Sequence, residues 1–265
     1  MRIRHLLEEA DGELAALADR QRVVLAFDFD GTLSPIAATP ETAHIDAGAD
    51  RALRELMALR DPGLRIGVAS GRTVEKLRRL SPPVDFWIGL HGLEVADGDG
   101  TPRTRFDTRE SDEAMERLRR RADEFTRGGA RLEDKRHALA LHVRGLSPDR
   151  AADALATFAE AVHGERRAGA PIAALHARKA IEARPDRSGK HFAIDEIRRG
   201  FDAALGFTGD DSTDEEVFRA FPDELCVAVM DPVRETAANY YLRSPSETAE
   251  MLSTFRALRV GSPRR

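Results

Sequence analysis

The 265-residue sequence predicts an α/β fold: a doubly wound, Rossmann-like parallel sheet interrupted by a smaller inserted α+β unit. Two observations carry that expectation. Short apolar runs at residues 23–27, 64–69, 86–90, 204–208 and 225–229 alternate with amphipathic stretches, the rhythm of parallel strands covered by helices on both faces. The middle of the chain breaks this rhythm with a charged helical segment at 110–127, alternating residues at 131–143, a second helix at 148–162 and two strand-like runs that end at Glu182. That order places a separate unit at 108–183, between core segments 1–107 and 184–265. At the start of the chain, Leu6, Leu7, Leu14 and Leu17 give residues 1–20 the spacing of an amphipathic helix.

Composition narrows the class of function. An apolar share of 42% is that of a globular chain. Acidic residues number 46 against 41 basic ones, and a net charge of -5 gives no electrostatic reason to bind nucleic acid. An anionic small molecule would need local basic groups. The apolar runs are far shorter than the roughly 20 residues of a membrane-spanning helix, and residues 1–20 lack the apolar stretch of a signal peptide; no membrane association and a cytoplasmic location are expected. The sole cysteine, Cys226, lies in an apolar run, cannot form an internal disulfide and reads as a core residue.

In a parallel sheet the chemistry collects beyond the carboxyl ends of the strands, so residues following the apolar runs are the candidates. The first run leads into Phe27-Asp28-Phe29-Asp30-Gly31-Thr32-Leu33. Strand alternation points the Asp28 and Asp30 side chains the same way, and two anions held together call for a shared cation or proton. Gly31 permits the tight turn that follows. Taken alone, the pair reads as solvated aspartates ending a strand. A second acidic string, Gly209-Asp210-Asp211-Ser212-Thr213-Asp214-Glu215-Glu216, follows another apolar run, and oxygen donors from two strand ends suit magnesium. Asp210 is expected at the metal, with Glu215 and Glu216 on the next helix and Ser212 or Thr213 as its cap. Between the two strings, Ser70-Gly71-Arg72-Thr73 offers a hydroxyl and backbone amides that fit phosphate oxygens, or a cap in Ser70. Lys190, after Ser188-Gly189, supplies the charge a transferring phosphoryl group needs if it turns inward, and is a solvated helix lysine if it does not.

In order and strand context, Asp28-Phe29-Asp30-Gly31-Thr32, Ser70, Lys190 and Gly209-Asp210-Asp211 resemble the four motifs of haloacid-dehalogenase (HAD) superfamily phosphatases. The resemblance implies Asp28 as nucleophile, Asp30 as general acid and base, Ser70 and Lys190 as phosphoryl contacts, and Mg2+ on Asp28, Asp210 and the backbone carbonyl of Asp30. Gly89-Leu90-His91-Gly92-Leu93-Glu94, Glu133-Asp134-Lys135, His142-Val143-Arg144 and Glu182-Ala183-Arg184-Pro185 further resemble the trehalose-6-phosphate phosphatases, over residues 22–255. By that resemblance the inserted unit is a cap that closes over a sugar phosphate. Glu133, Lys135, Arg144, Arg178 and Glu182 then face glucose hydroxyls, Arg72 and His91 belong to the substrate site, and Asp211 and Asp214 orient Lys190 or metal-bound water. A trehalose-6-phosphate synthase is the implied functional partner. The chain departs from the family at the third motif, which is usually Lys-Gly and here is Lys190-His191; the alignment places Ala193, Ile194 and Ile197 at the expected apolar positions.

The implied mechanism is attack by Asp28 on phosphorus. Asp30, held protonated by its surroundings, protonates the departing sugar oxygen and then activates water. The four core motifs do not encode the sugar, so sucrose phosphate, mannosyl-3-phosphoglycerate or a hexose phosphate are alternative substrates. A phosphomutase, or a catalytically silent sugar-phosphate-binding module, is the alternative role.

Overall fold

The computed structural model describes residues 3–9, 12–37, 39–177 and 179–261. Along the chain come β1 (Arg4–His5), α1 (Glu13–Ala18), β2 (Val23–Asp28), α2 (Ala47–Met57), β3 (Leu64–Ala69), α3 (Val74–Leu80), β4 (Phe86–Gly89), β5 (Glu94–Asp97) and β6 (Arg103–Thr104). Next are α4 (Arg109–Arg119), α5 (Ala122–Thr126), β7 (Arg131–Asp134), β8 (Leu139–His142), α6 (Pro148–Arg167), β9 (Ile172–Ala177) and β10 (Ala180–Pro185). The chain ends with α7 (Lys190–Phe201), β11 (Ala204–Gly209), α8 (Asp214–Ala220), β12 (Leu225–Val229), β13 (Tyr240–Leu242) and α9 (Pro245–Gly261). Two compact units result, Met1–Arg105 with Gly189–Arg265, and Phe106–Ser188.

The larger unit is built on a nine-stranded sheet in the order β1-β13-β12-β11-β2-β3-β4-β5-β6. It is parallel from β1 to β4 and antiparallel over β4, β5 and β6. Alternation along β2 sends Val23, Leu25 and Phe27 into one apolar cluster with Leu53 and Leu56 of α2 and Leu252 and Phe255 of α9. Val24 and Ala26 enter another, with Ala193 and Ile194 of α7 and Val217 and Phe218 of α8. Burial on both faces is why these strands read as unbroken apolar runs. Asp28 pairs in register with Ala69, and Phe27 with Thr208. The segments leaving β2, β3 and β11 therefore emerge side by side at the carboxyl edge.

Residues 1–20 do not form one helix among the described residues. Arg4 and His5 pair in parallel with Tyr240 and Tyr241 of β13, a 3-10 turn follows at Leu6–Glu9, and α1 is six residues long. Leu6, Leu14 and Leu17 are buried as their spacing suggests, but sheet pairing takes the backbone before them. Cys226 lies in the core, its thiol pushed up to about 12, mainly by burial.

The smaller unit has a four-stranded antiparallel sheet in the order β7-β8-β10-β9. One face, with Leu139, Leu141, Ile181 and Ala183, covers Met115, Leu118, Phe125 and Phe158 of the helices. Alternation leaves Glu133, Ala140, His142, Glu182 and Arg184 on the opposite face. The expected helix at 110–127 is split into α4 and α5, the backbone nitrogen of Arg121 turning to the Leu118 carbonyl at 3.0 Å. The unit runs wider than 108–183, since β10 stays paired with β9 as far as Pro185 opposite Ile172.

One buried charge ties the terminal helix to the segment that enters β2. Arg259 of α9 is 0% exposed. Its Nε donates to Asp61 Oδ2 at 2.8 Å, and its other nitrogens donate to the carbonyls of Ala18, Arg20 and Gln21. Losing it removes the positive charge facing a buried carboxylate and the donors of three backbone oxygens. Arg259→Met should therefore cost about 3 kcal/mol of unfolding free energy, measured as a lower urea midpoint at unchanged slope; an undiminished midpoint would show the network to be dispensable.

Candidate active site

Asp28 is the last residue of β2 and is 5% exposed. Lys190, the first residue of α7, is 1% exposed, and its Nζ donates to Asp28 Oδ1 at 2.6 Å and to Asp214 Oδ1 at 2.7 Å. It turns inward, not to solvent. Asp214 is fully buried and its Oδ2 accepts from the backbone nitrogens of Asp210 and Asp211 at 2.9 and 3.1 Å, so the loop after β11 folds around it. Asp211 Oδ1 accepts from Thr213 N, Thr213 Oγ1 and Asp214 N at 2.7, 2.6 and 3.2 Å. Asp211 thus caps α8, in place of Ser212 or Thr213, because a carboxylate two residues back reaches these amides directly. Room at this crossing is set by glycine: a Cβ on Gly31, whose φ is +88°, would stand 2.2 Å from Asp210 Oδ2, and one on Gly209 would stand 2.2 Å from Asp214 Cγ.

Carboxylate oxygens of Asp28, Asp210 and Asp214 lie within 4.8 Å of one another. Burial pushes the Asp28 and Asp210 carboxyls well above the usual range, neighbouring carboxylates add to the rise, and Lys190 offsets only part of it. Asp214 is raised to about 6, again chiefly by burial and against the pull of Lys190. For Asp211 burial also acts upward, but Lys190, the Thr213 hydrogen bonds and His91 together prevail and bring it down to about 2. Burial opposes the charge on Lys190, yet Asp214 and Asp28 hold its pKa well above that of a free lysine. Asp210 Oδ1 is buried with no hydrogen-bond partner. A crowded, all-oxygen set with an orphaned carboxylate oxygen fits a hard divalent cation. Both oxygens of Asp214 are engaged already, so Asp28 and Asp210 are the residues able to hold the ion.

Asp30 sits outside that carboxylate group. Its Oδ2 accepts from Arg72 Nε and its Oδ1 from Arg72 Nη2, both at 2.7 Å. A guanidinium donating to each oxygen is a bidentate fork that sets both the distance and the plane of the Asp30 carboxyl. Ser70 follows β3 and is buried; its Oγ accepts from Arg72 N at 3.2 Å. It does not cap α3, whose cap is Thr73, accepting from Lys76 N at 3.3 Å. Leu90 and His91 adopt φ of 47° and 51°, a left-handed backbone that costs roughly 1–2 kcal/mol per non-glycine residue. The turn brings His91 N to Ser70 O at 3.0 Å and sets the His91 ring where a Cβ of Gly71 would lie.

In the smaller unit the charged face of the sheet brings together Glu133, Lys135 and Glu182. Lys135 Nζ donates to Glu182 Oε2, and His142 Nε2 lies 3.0 Å from Glu133 Oε2. Arg144, just past β8, is exposed, and Arg178 lies outside the described residues. His142 and Arg184 were not among the candidates. The period-two pattern gives Arg184 from Glu182, and His142 follows only once β7 and β8 are paired. Arg234 is a further addition; its Nη2 donates to the Asp210 carbonyl.

No helix among the described residues is long and apolar enough to cross a membrane. The trehalose-phosphatase family model matches residues 26–246. The trehalose-phosphate phosphatase of Mycobacterium avium is 35% identical over 258 residues, covering 91% of this chain and 62% of that protein. The probable trehalose-phosphate phosphatase 4 of rice is 28% identical over 257 residues, 91% of this chain and 67% of that protein. The chain spans about three fifths of the length of the mycobacterial relatives it matches. Among solved structures, the C-terminal domain of C. albicans trehalose-6-phosphate phosphatase has a TM-score of 0.81 at 21% identity, covering 97% of this chain and 99% of that one. The sucrose-phosphatase of Synechocystis has a TM-score of 0.57 at 16% identity, covering 89% and 98%, and both share the α/β fold described above. With its family model matched over most of its length, this chain belongs to the trehalose-phosphatase family.

Proposed function

We propose that the chain is a phosphoric monoester hydrolase that cleaves trehalose 6-phosphate to trehalose and phosphate. The observation that carries this reading is the buried contact of Lys190 with Asp28 at 2.6 Å. A carboxylate with one oxygen pinned to a buried ammonium leaves the other oxygen fixed at the strand end, positioned to attack phosphorus in line. Displacement leaves an aspartyl phosphate on Asp28. Lys190 and the Ser70 hydroxyl offset charge on the phosphoryl oxygens. Asp30 hands a proton to the departing sugar oxygen and later takes one from the attacking water. Asp214 holds the Lys190 ammonium in place, and Asp211 fixes the loop that carries Asp210. Asp28, Asp210 and the Asp30 backbone carbonyl are the groups we assign to magnesium, which when bound supplies positive charge to the transferring phosphoryl group.

The smaller unit, in this reading, recognises the sugar. Glu133, Lys135, Glu182 and His142 present paired donors and acceptors of the kind that hydroxyls bind, and the mycobacterial and plant relatives carry trehalose-phosphate phosphatase as their names. A cytoplasmic enzyme acting on the product of a trehalose-6-phosphate synthase is consistent with this chemistry.

Phosphate release measured on trehalose 6-phosphate, sucrose 6-phosphate and glucose 6-phosphate should be greatest for the first and should vanish in chelator. Asp28→Asn should lower kcat by at least about 10³-fold in a protein that stays folded; near-normal turnover would remove the assigned nucleophile. Glu182→Gln should raise KM for the sugar phosphate about tenfold or more while leaving hydrolysis of an aryl phosphate nearly intact, and equal losses on both would take sugar recognition away from this face.

Cation binding should depend on pH in a stated direction. The Asp28 and Asp210 carboxyls are raised in the folded state and favour the proton, so their stabilising contribution to the cation-free protein is present below the ordinary carboxylate range and fades as pH rises through their raised values, as it does at about 6 for the adjoining Asp214. The cation needs the ionised forms and must displace those protons. The rise in melting temperature on adding magnesium should be large at pH 7.5 and small at pH 5. A rise that is equal or larger at pH 5 would contradict the assigned ligands.

A further inference from the structure

We infer that Arg72 is a positioning residue for the acid–base carboxylate, acting through Asp30 and not as a contact to the phosphoryl group; this rests on the phosphatase reading above. Asp30 lies past the end of β2 with its side chain 40% exposed. Among the described residues, the hydrogen bonds to its carboxylate come from Arg72 alone, one to each oxygen at 2.7 Å. That fork fixes the plane of the carboxylate as well as its distance, which a single donor cannot do. Arg72 is itself held. Its guanidinium carbon lies 5.7 Å from the centre of the fully buried Phe29 ring. Its backbone nitrogen donates to Ser70 Oγ at 3.2 Å, and its carbonyl accepts from Leu90 N at 2.8 Å. One residue therefore sets the orientation of the group that moves the proton relative to the hydroxyl that meets the phosphoryl oxygens.

This assignment separates two roles that a basic residue beside a phosphate site could fill. A guanidinium that binds phosphate contributes to every phosphate ester alike. One that orients the proton donor contributes only where the leaving group needs a proton, as a sugar alkoxide does and p-nitrophenolate does not.

The test compares kcat/KM for trehalose 6-phosphate and p-nitrophenyl phosphate in wild type, Arg72→Ala and Arg72→Lys, with magnesium saturating and folding checked by melting temperature. Arg72→Ala should lose about 10²-fold on the sugar ester and less than about threefold on the aryl ester. Arg72→Lys, which keeps the charge without the fork, should recover little of the sugar-ester activity. Adding Arg72→Ala to Asp30→Asn should change the sugar-ester rate by less than about threefold, because the first substitution has removed what the second acts upon. Equal losses on the two esters, recovery by lysine, or full additivity with Asp30→Asn would overturn the assignment and leave the phosphatase reading intact. Wild-type protein inert towards both esters would overturn that reading and this inference with it.

Discussion

A single ammonium group buried among carboxylates constrains most of what surrounds it. Taking a lysine out of water costs several kcal/mol unless its charge and donors are matched, and Lys190 is matched by Asp28 and Asp214. The last residue of β2, the first of α7 and the first of α8 must then meet at one point. That requirement fixes how two helices stand on the sheet, and it reaches into the backbone: Gly31 and Gly209 lie where any Cβ would enter the carboxyl groups of Asp210 and Asp214. The positive charge does not balance the site, since Asp28, Asp210, Asp211 and Asp214 surround one lysine. A surplus of buried negative charge repels a phosphate dianion as surely as it raises the carboxyl pKa values. In the proposed reading a bound cation offsets that surplus, so metal binding and substrate binding are two consequences of one charge imbalance.

The central strands and the strand-end motifs were legible because a strand buried on both faces reads as an unbroken apolar run, and the residues after it are placed by register alone. Asp28, Ser70 and Asp210 follow from that rule. Strands β1, β6 and β13, of two or three residues each, are defined by their partners across the sheet and have no period to detect. Leucine spacing at the start of the chain marked the buried side chains but not the backbone, since a strand, a 3-10 turn and a short helix can bury the same residues. Lys190 could not be placed from its own segment, because a helical window says nothing about which way its first side chain turns. Arg72 and Asp30 are 42 positions apart, and a fork between them arises only from the pairing of β2 with β3. The limits of the smaller unit were blurred for a related reason: β10 continues past Glu182 because β9 is there to pair with it.

The two units hold charge in different ways, and the difference bears on what each can recognise. In the larger unit the carboxylates outnumber the cation they enclose, a state that suits a divalent cation and, in the proposed reading, a phosphoryl group held through it. On the sheet face of the smaller unit Glu133 and Glu182 are set against Lys135 and Arg184, with His142 beside Glu133. Such a face carries little net charge, so it offers no strong attraction to a second anion or to an ion. What it offers is donors and acceptors at fixed spacing, which suits a neutral polyhydroxylated ligand, and a site built to hydrogen-bond hydroxyls rejects a ligand that lacks them more sharply than an apolar one can. Reading the sugar from the strand-end motifs therefore fails in principle: those motifs answer to charge. In the proposed reading the pattern that answers to hydroxyls is the alternation along β7, β8 and β10, and a change of sugar would be written there.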